Sequence, residues 1–188
     1  MGWYLAPPSH GFGARDSISG RGVILENQTE QIHVLVQQGT RLLAAGRSAE
    51  ATTILERAYA LNRDHFDAAL NLSAGYILTR RFGQAASILE ALAERDPENP
   101  MVWTNLGAAY LGNPILATDD KQRQAVRAFR RALEINPLAP NVAYNLGLIY
   151  RDRHEQDEAV RWFHRALQAN PNDQDARYWI RKLHNDAQ

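Results

Sequence analysis

The residues of this chain that could carry out catalysis or bind a metal do not form a recognised pattern. Gly11-Phe12-Gly13 matches the start of a glycine-rich phosphate-binding loop, but Asp16 stands where the third glycine is needed. His154-Glu155 lacks the second histidine, one helical turn further on, that a helical zinc site requires. We therefore expect no catalytic residue, no bound metal and no cofactor.

The composition excludes further classes of function. The chain has 188 residues, 21 basic and 21 acidic side chains, and no cysteine. The lack of cysteine excludes disulfides, zinc–thiolate sites and thiol nucleophiles. Balanced charge disfavours a nucleic-acid partner, because binding to nucleic acid depends on basic residues that neutralise phosphates. No apolar run is long enough to cross a membrane and no secretory signal pattern is present, so we expect a cytoplasmic protein without membrane insertion.

The most informative feature of the sequence is a repeat. Pro97, Pro137 and Pro171 are spaced at 40 and then 34 residues. The same residue types recur at matching offsets in four segments, namely 32–65, 66–99, 100–139 and 140–173, and the third holds six extra residues. A period of about 20–50 residues is typical of stacked repeat proteins. One recurring position holds a small residue, which is Gly39, Ser73, Gly107 or Gly147.

Each segment reads as two amphipathic helices joined by a short turn. Small residues at the recurring position allow two helices to cross closely. Asn-Pro or Asp-Pro pairs end three of the segments, because proline does not continue a helix. At Asn99-Pro100 the same pair predicts a helix start, with Asn as the N-cap and Pro in the first helical position. These features predict an all-α fold.

The pattern W-x2-L-G-x2-Y, then A-x3-F-x2-A, then P resembles the tetratricopeptide repeat (TPR) family. The third segment carries it in full, at Trp103, Leu106, Gly107, Tyr110, Ala125, Phe129, Ala132 and Pro137. The resemblance covers residues 32–173. It implies a right-handed α-solenoid of four helix-turn-helix repeats, in which the first helix of each repeat lines a concave groove. Residues 174–188 are predicted to form a capping helix.

Residues 1–31 are predicted to form an extended, irregular N-terminal arm rich in Gly, Pro and aromatic residues. No helix is expected before about Asn27, where Asn27 and Glu30 resemble a capping box. Trp3, Tyr4 and Phe12 indicate a docking role, because segments with nothing to bury seldom contain such residues.

The resemblance places a recurring asparagine in the groove of three successive units. An amide both donates and accepts hydrogen bonds, so a row of them could hold the backbone of an extended peptide. The alternative is that asparagine is simply common at this position of the family. Lysine and arginine are absent from the positions that grip a C-terminal carboxylate in some TPR proteins, which disfavours that role. The candidate groove residues are Asn71, Asn105, Asn145, Thr104, Tyr144 and Tyr178.

Two other features could carry binding specificity. The six extra residues of the third segment lie within 112–120 and include Ile115 and Leu116, which either sit exposed on a functional loop or fold back on their own helices. The following helix is basic, with Lys121, Arg123, Arg127, Arg130 and Arg131. This helix is either a solvated outer face or a surface for an acidic partner or a nucleic-acid backbone.

The sequence therefore predicts a non-catalytic scaffold for protein–protein interaction, as a subunit or assembly factor of a larger complex. The expected partner is a protein or peptide segment, bound in the groove, through the N-terminal arm, or both. Two alternatives stay open, namely a regulatory subunit of an enzyme and a self-associating protein whose arm fills the groove of a neighbouring copy.

Overall fold

The computed structural model describes residues 20–113 and 116–186, with side chains for 27–113 and 116–185. Over these ranges the chain forms nine α-helices and no strand. The helices are α1 (Gly20–Ala44), α2 (Ser48–Leu61), α3 (Phe66–Leu78), α4 (Phe82–Arg95), α5 (Pro100–Leu111), α6 (Asp119–Ile135), α7 (Val142–Asp152), α8 (Gln156–Ala169) and α9 (Gln174–Asp186). Each of the four predicted repeats therefore holds two helices, and the predicted capping helix is α9.

The predicted start and stop signals act where they were expected. Helices α4, α6 and α8 each end one residue before an Asp-Pro or Asn-Pro pair. At the start of α5, the Asn99 side chain accepts a hydrogen bond from the Met101 amide, with Pro100 in the first turn. Asp173 accepts hydrogen bonds from two backbone amides at the start of α9. Local sequence thus sets most of the helix boundaries.

The first helix departs from the prediction. It begins at Gly20, so the expectation of no helix before Asn27 is wrong, and residues 20–31 of the predicted arm belong to α1. The region has no proline after Pro8. An asparagine inside a helix costs only up to about 0.7 kcal/mol relative to alanine, so the capping-box pattern at Asn27 does not stop the helix from extending. The rest of the arm, residues 1–19, lies outside the described residues.

The helices pair as antiparallel hairpins, and the hairpins stack in chain order. The first helices of successive units also touch, α1 against α3 and α3 against α5, whereas the second helices do not approach one another as closely. Neighbours on the inside of a curve are closer together than neighbours on the outside. The contacts therefore place α1, α3 and α5 on the concave face of the array, and the resemblance to tetratricopeptide repeats extends this arrangement to α7, with the second helices on the outer face.

Close helix crossings hold each hairpin together. A Cβ atom at Gly107 would lie 2.5 Å from the Phe129 ring, and one at Gly147 would lie 2.7 Å from the Phe163 ring. Both rings are completely buried. These glycines thus let the facing aromatic ring pack directly against the helix backbone, as the small-residue position predicts.

The core consists of clusters along the chain, beginning with a small one formed by Ile32, Leu35, Ala58 and Ala68. One large buried cluster runs from Ala51 to Ala128 and another from Leu111 to Leu183, and the half-buried rings of Trp103 and Tyr110 pack against both. Helix α7 packs less closely on α6 than α3 does on α2. At this junction Ala139 stands where Asn99 caps the preceding unit, and α7 begins without a side-chain cap.

Candidate functional site

The N-terminal end of the concave face is held by its own hydrogen bonds. The Thr40 hydroxyl shares its proton between the Val36 backbone carbonyl at 2.9 Å and the Asn71 side-chain oxygen at 3.3 Å, and the Asn71 amide nitrogen donates to the Asp67 backbone carbonyl at 2.8 Å. His33 and Gln37 are hydrogen-bonded to each other at 2.7 Å. The predicted binding amide of Asn71 is therefore engaged within the array, where it links α1 to α3.

The next two asparagines in the predicted row are different. Asn105 on α5 and Asn145 on α7 are half-buried, and their side-chain amides make no hydrogen bond to any other residue that the structure describes. The structure thus has amides at equivalent positions of two successive units with free donors and acceptors. A bound backbone could use both kinds of group.

Thr104 lies beside these amides but contributes little free hydrogen-bonding capacity. Its hydroxyl donates to the backbone carbonyl of Pro100 at 2.8 Å, within its own helix. On the same helix the Met101 side chain is 60% exposed. This part of the groove therefore presents mainly apolar surface around the Asn105 amide.

Aromatic rings form the C-terminal end of the concave face. The Tyr144 ring centroid lies 5.6 Å from that of Phe163, and the Trp179 ring stacks on the same core ring with a centroid distance of 6.4 Å. Tyr178 makes an edge contact with Trp179 at 5.2 Å and is 49% exposed. Burial raises the pKa of the Tyr144 phenol, and a side-chain hydrogen bond with Trp179 partly offsets this increase. Tyr144 and Tyr178 thus flank one aromatic cluster.

Cations cover this cluster. The Arg151 guanidinium lies 4.1 Å from the Trp179 ring centroid, and the Lys182 ammonium lies 5.2 Å from it. Sequence reasoning missed Arg151, because a contact between α7 and α9 has no local sequence signal. Arg151 also forms an ion pair with Asp152, so its charge is balanced locally, and the groove positions on α5 and α7 carry no charge.

The insertion is only partly described. Leu116 is 73% exposed, so it does not fold back on its own helices, whereas Ile115 lies outside the described residues. Thr118 caps α6 by accepting a hydrogen bond from the Lys121 amide at 3.4 Å. Trp3, Tyr4 and Phe12 also lie outside the described residues.

Metal centres and membrane-spanning helices are two other features that the described part of the chain could contain. No group of three or more His, Asp or Glu side chains there is placed to hold a metal ion. In the same part of the chain, no helix combines the length and apolar character needed to cross a bilayer.

The comparisons with known proteins agree with the repeat architecture. Sequence profiles of the tetratricopeptide repeat match residues 42–110 and 121–174. The tetratricopeptide repeat-containing protein trd-1 of Caenorhabditis elegans is 34% identical over 46% of this chain and 10% of its own length. The peroxisomal targeting signal receptor of Kluyveromyces lactis is 26% identical over 52% of this chain and 16% of its own length. The matches therefore span a small part of these curated relatives.

Solved structures extend the likeness to the whole array. A thermophilic TPR protein of Thermus thermophilus superposes with a TM-score of 0.71 at 22% identity, covering 83% of this chain and 82% of the other. A MamA mutant superposes with a TM-score of 0.63 at 27% identity, covering 86% and 90%. TPR proteins bind other proteins and the fold is generally non-catalytic. The repeat profiles, the nine described helices and these neighbours show that the chain belongs to the tetratricopeptide repeat family.

Proposed function

We propose that the chain is a non-catalytic scaffold that binds an extended segment of a protein partner in the C-terminal half of its concave groove. The observation that carries the proposal is the pair of unbonded amides at Asn105 and Asn145, which lie at equivalent positions of adjacent units. Each residue of an extended peptide offers one backbone donor and one acceptor. Two such amides hold that backbone without demanding a particular side chain.

The surroundings of the amides favour apolar side chains on the bound segment. Met101, Tyr144 and Tyr178 present partly or largely exposed apolar surface along the same face. Aromatic residues with one apolar and one polar end are enriched at binding surfaces. The relative named a peroxisomal targeting signal receptor is, by that name, a protein that recognises a targeting signal. We infer a similar kind of task here, with a different and unidentified segment.

The scaffold role extends to a larger complex in this proposal. Leu116 projects from the insertion, with 73% of its surface exposed, on a loop between two rigid helices. Together with Ile115 and the aromatic residues Trp3, Tyr4 and Phe12, it would dock the chain as a subunit or assembly factor. Replacing the three arm aromatics with alanine in the full-length chain tests this part, because the groove is left intact.

Affinity capture with the full-length chain as bait, combined with cross-linking mass spectrometry, tests the groove. We expect a partner segment to cross-link near α5, α7 and α9. The double variant Asn105→Ala plus Asn145→Ala should weaken that partner about tenfold or more, since two hydrogen bonds to the ligand backbone are lost. The matched control is Gln124→Ala, an exposed amide on the outer face.

Two results would contradict the proposal. Unchanged affinity in the double asparagine variant would show that the amides do not hold the partner. A reproducible turnover by the purified chain would show that the scaffold is also an enzyme.

A further inference from the structure

The outer face of the array reverses its charge between the second and third units. At one recurring position of the second helix, the side chain bonds to the hydroxyl of a tyrosine on the first helix of the next unit. In the first two units the side chain is a glutamate that accepts from the tyrosine. In the third unit it is an arginine that donates to it. The pairs are Glu56–Tyr76 at 3.0 Å, Glu90–Tyr110 at 2.8 Å and Arg130–Tyr150 at 3.1 Å.

The neighbouring positions are more basic in the third and fourth units than in the first two, although Arg57 of the first unit is already an arginine. The position three residues before the recurring one holds Thr53 in α2 and Ser87 in α4. The position one residue after it holds Arg57 in α2 and Ala91 in α4. The equivalent positions on α6 are both arginine, and α8 adds two more arginines to the same side. We call this surface the arginine face, and it consists of Arg127, Arg130, Arg131, Arg161 and Arg165.

Only part of the arginine face is neutralised by neighbouring carboxylates. Arg131 pairs with Glu98 and, at 3.1 Å, with Glu134, and Arg161 pairs with Glu158 at 3.0 Å. No carboxylate among the described residues forms an ion pair with the other three guanidiniums. These are Arg127, Arg130 and Arg165.

A shallow depression of about 220 Å³ lies between two of these unpaired arginines. Leu133 and Trp162 give it apolar surface, while Arg130, Arg165 and Glu134 complete its lining. The Trp162 ring stacks on Tyr150 at 6.4 Å with an interplanar angle of 5°, which holds it in place. The Arg165 guanidinium lies 5.3 Å from the Trp162 ring centroid.

We propose that the arginine face is a second docking surface, separate from the groove, for an acidic protein segment with an apolar side chain between its carboxylates. The apolar side chain enters the depression beside Trp162, and the carboxylates pair with Arg130 and Arg165. Guanidinium groups bind carboxylates with two parallel hydrogen bonds, which suits them to this task. A protein segment fits better than a nucleic acid, because the depression presents the apolar surface of Leu133 and Trp162 between its arginines, and that surface has no role in phosphate recognition.

Selection from a display library of random short peptides on the full-length protein tests the proposal. We expect an enriched class with several Asp or Glu residues around one aliphatic or aromatic residue. The charge reversal Arg130→Glu plus Arg165→Glu should weaken a peptide of this class about tenfold or more in fluorescence anisotropy, because repulsion replaces two ion pairs. Both side chains reach the surface, and circular dichroism checks that the variant is folded.

A matched variant separates a specific site from general charge attraction. Arg41→Glu plus Arg57→Glu changes the net charge by the same amount at exposed positions outside the arginine face and should leave peptide affinity unchanged. Asn105→Ala plus Asn145→Ala should also leave it unchanged, which distinguishes this surface from the groove. The proposal is overturned if no acidic class is enriched, or if both charge-reversed variants lose affinity equally. It is also overturned if polyuridine RNA binds the wild-type protein more tightly than the selected peptides and depends on the same two arginines.

Discussion

The two halves of the array, residues 32–99 and 100–173, use equivalent positions for different contacts. In the concave groove, Asn71 is bonded to Thr40 and to its own helix, whereas the Asn105 amide is unbonded. On the outer face, Glu90 accepts a hydrogen bond from a tyrosine, whereas Arg130 donates one. The backbone repeat fixes where a side chain lies, and the chemistry at that place varies from unit to unit.

This difference distinguishes side chains that hold the array together from side chains that we propose to bind partners. The N-terminal half uses its groove asparagine for contacts between its own helices, and its outer glutamates are engaged with tyrosines. In the C-terminal half, the Asn105 and Asn145 amides make no hydrogen bond to another described residue, and Arg127, Arg130 and Arg165 form no ion pair with a described carboxylate. In a stacked array each unit contacts mainly its neighbours, so one half can be adapted for partners without disrupting the other.

The largest expected effect concerns the close helix crossing. Gly107→Ala should destabilise the protein by about 1–3 kcal/mol, because the new methyl group would lie 2.5 Å from the buried Phe129 ring. The measurement is chemical denaturation followed by circular dichroism. Gly83→Ala is the control, since nothing lies within 4 Å of its added Cβ. Ser73 occupies the same position in the second unit and carries a Cβ atom there. If Gly107→Ala leaves the free energy of unfolding unchanged, the prediction is wrong, and the third unit accommodates a Cβ atom as the second unit does.

The next effect compares the starts of α5 and α7, which are the first helices of the third and fourth units. Asn99→Ala should cost about 1 kcal/mol, because it removes the side chain that caps α5. Asn141, before α7, makes no capping bond and has a φ of 61°. Asn141→Gly should therefore stabilise the protein by up to about 1 kcal/mol, since glycine adopts positive φ without steric penalty. Thermal unfolding of both variants measures the difference, and a loss of stability in Asn141→Gly would contradict it.

A smaller effect should have opposite signs at two equivalent asparagines. Asn71→Ala should lower the free energy of unfolding by roughly 0.5 kcal/mol, because the lost hydrogen bonds outweigh the gain in helix propensity. Asn105→Ala should raise it by roughly 0.5 kcal/mol, because alanine favours the helix and no hydrogen bond is lost. Equilibrium urea unfolding of the two single variants compares them directly. Equal destabilisation would show that both amides serve the fold.

The smallest effect is a pH dependence confined to alkaline solution. Burial, followed by the hydrogen bond to Glu90, raises the pKa of Tyr110 from 10.0 to about 12. The neutral phenol is favoured in the folded state, so its contribution to stability is complete below pH 10.0 and is lost as the pH rises to about 12. Tyr110→Phe should reduce this alkaline loss in urea-unfolding experiments. Tyr178→Phe, at a largely exposed ring, is the control.

Much of the fold could be predicted from the sequence because its determinants are local and repeated. Asp-Pro or Asn-Pro pairs follow the ends of α4, α6 and α8, and a glycine facing a phenylalanine sets the crossing of the third and fourth hairpins. The start of α1 could not be predicted in the same way, because a capping pattern at Asn27 permits a helix to begin there but does not prevent an earlier start at Gly20. The cap at Asn99 was correctly predicted, since it needs only its own loop and helix.

The proposed binding surfaces could be predicted from the sequence only in part. The row of groove asparagines was visible as a repeat, but the sequence could not show which amides were already bonded, since Thr40 and Asn71 are 31 residues apart. The cation–π contact of Arg151 with Trp179 joins two helices that are not adjacent in the chain. The basic character of α6 was visible, whereas its alignment with Trp162 and Arg165 of α8 across a depression was not.

The sequence by itself determined the helical repeat, the glycine crossings of the third and fourth hairpins and most of the helix boundaries, because these depend on residue spacing and on backbone preferences within a few positions. Only the tertiary structure decided which equivalent side chains are bonded internally and which are free to bind a partner. The physical reason is that hydrogen bonds and ion pairs depend on distances between helices. Stacking sets those distances, and they differ between units even where the residue is the same.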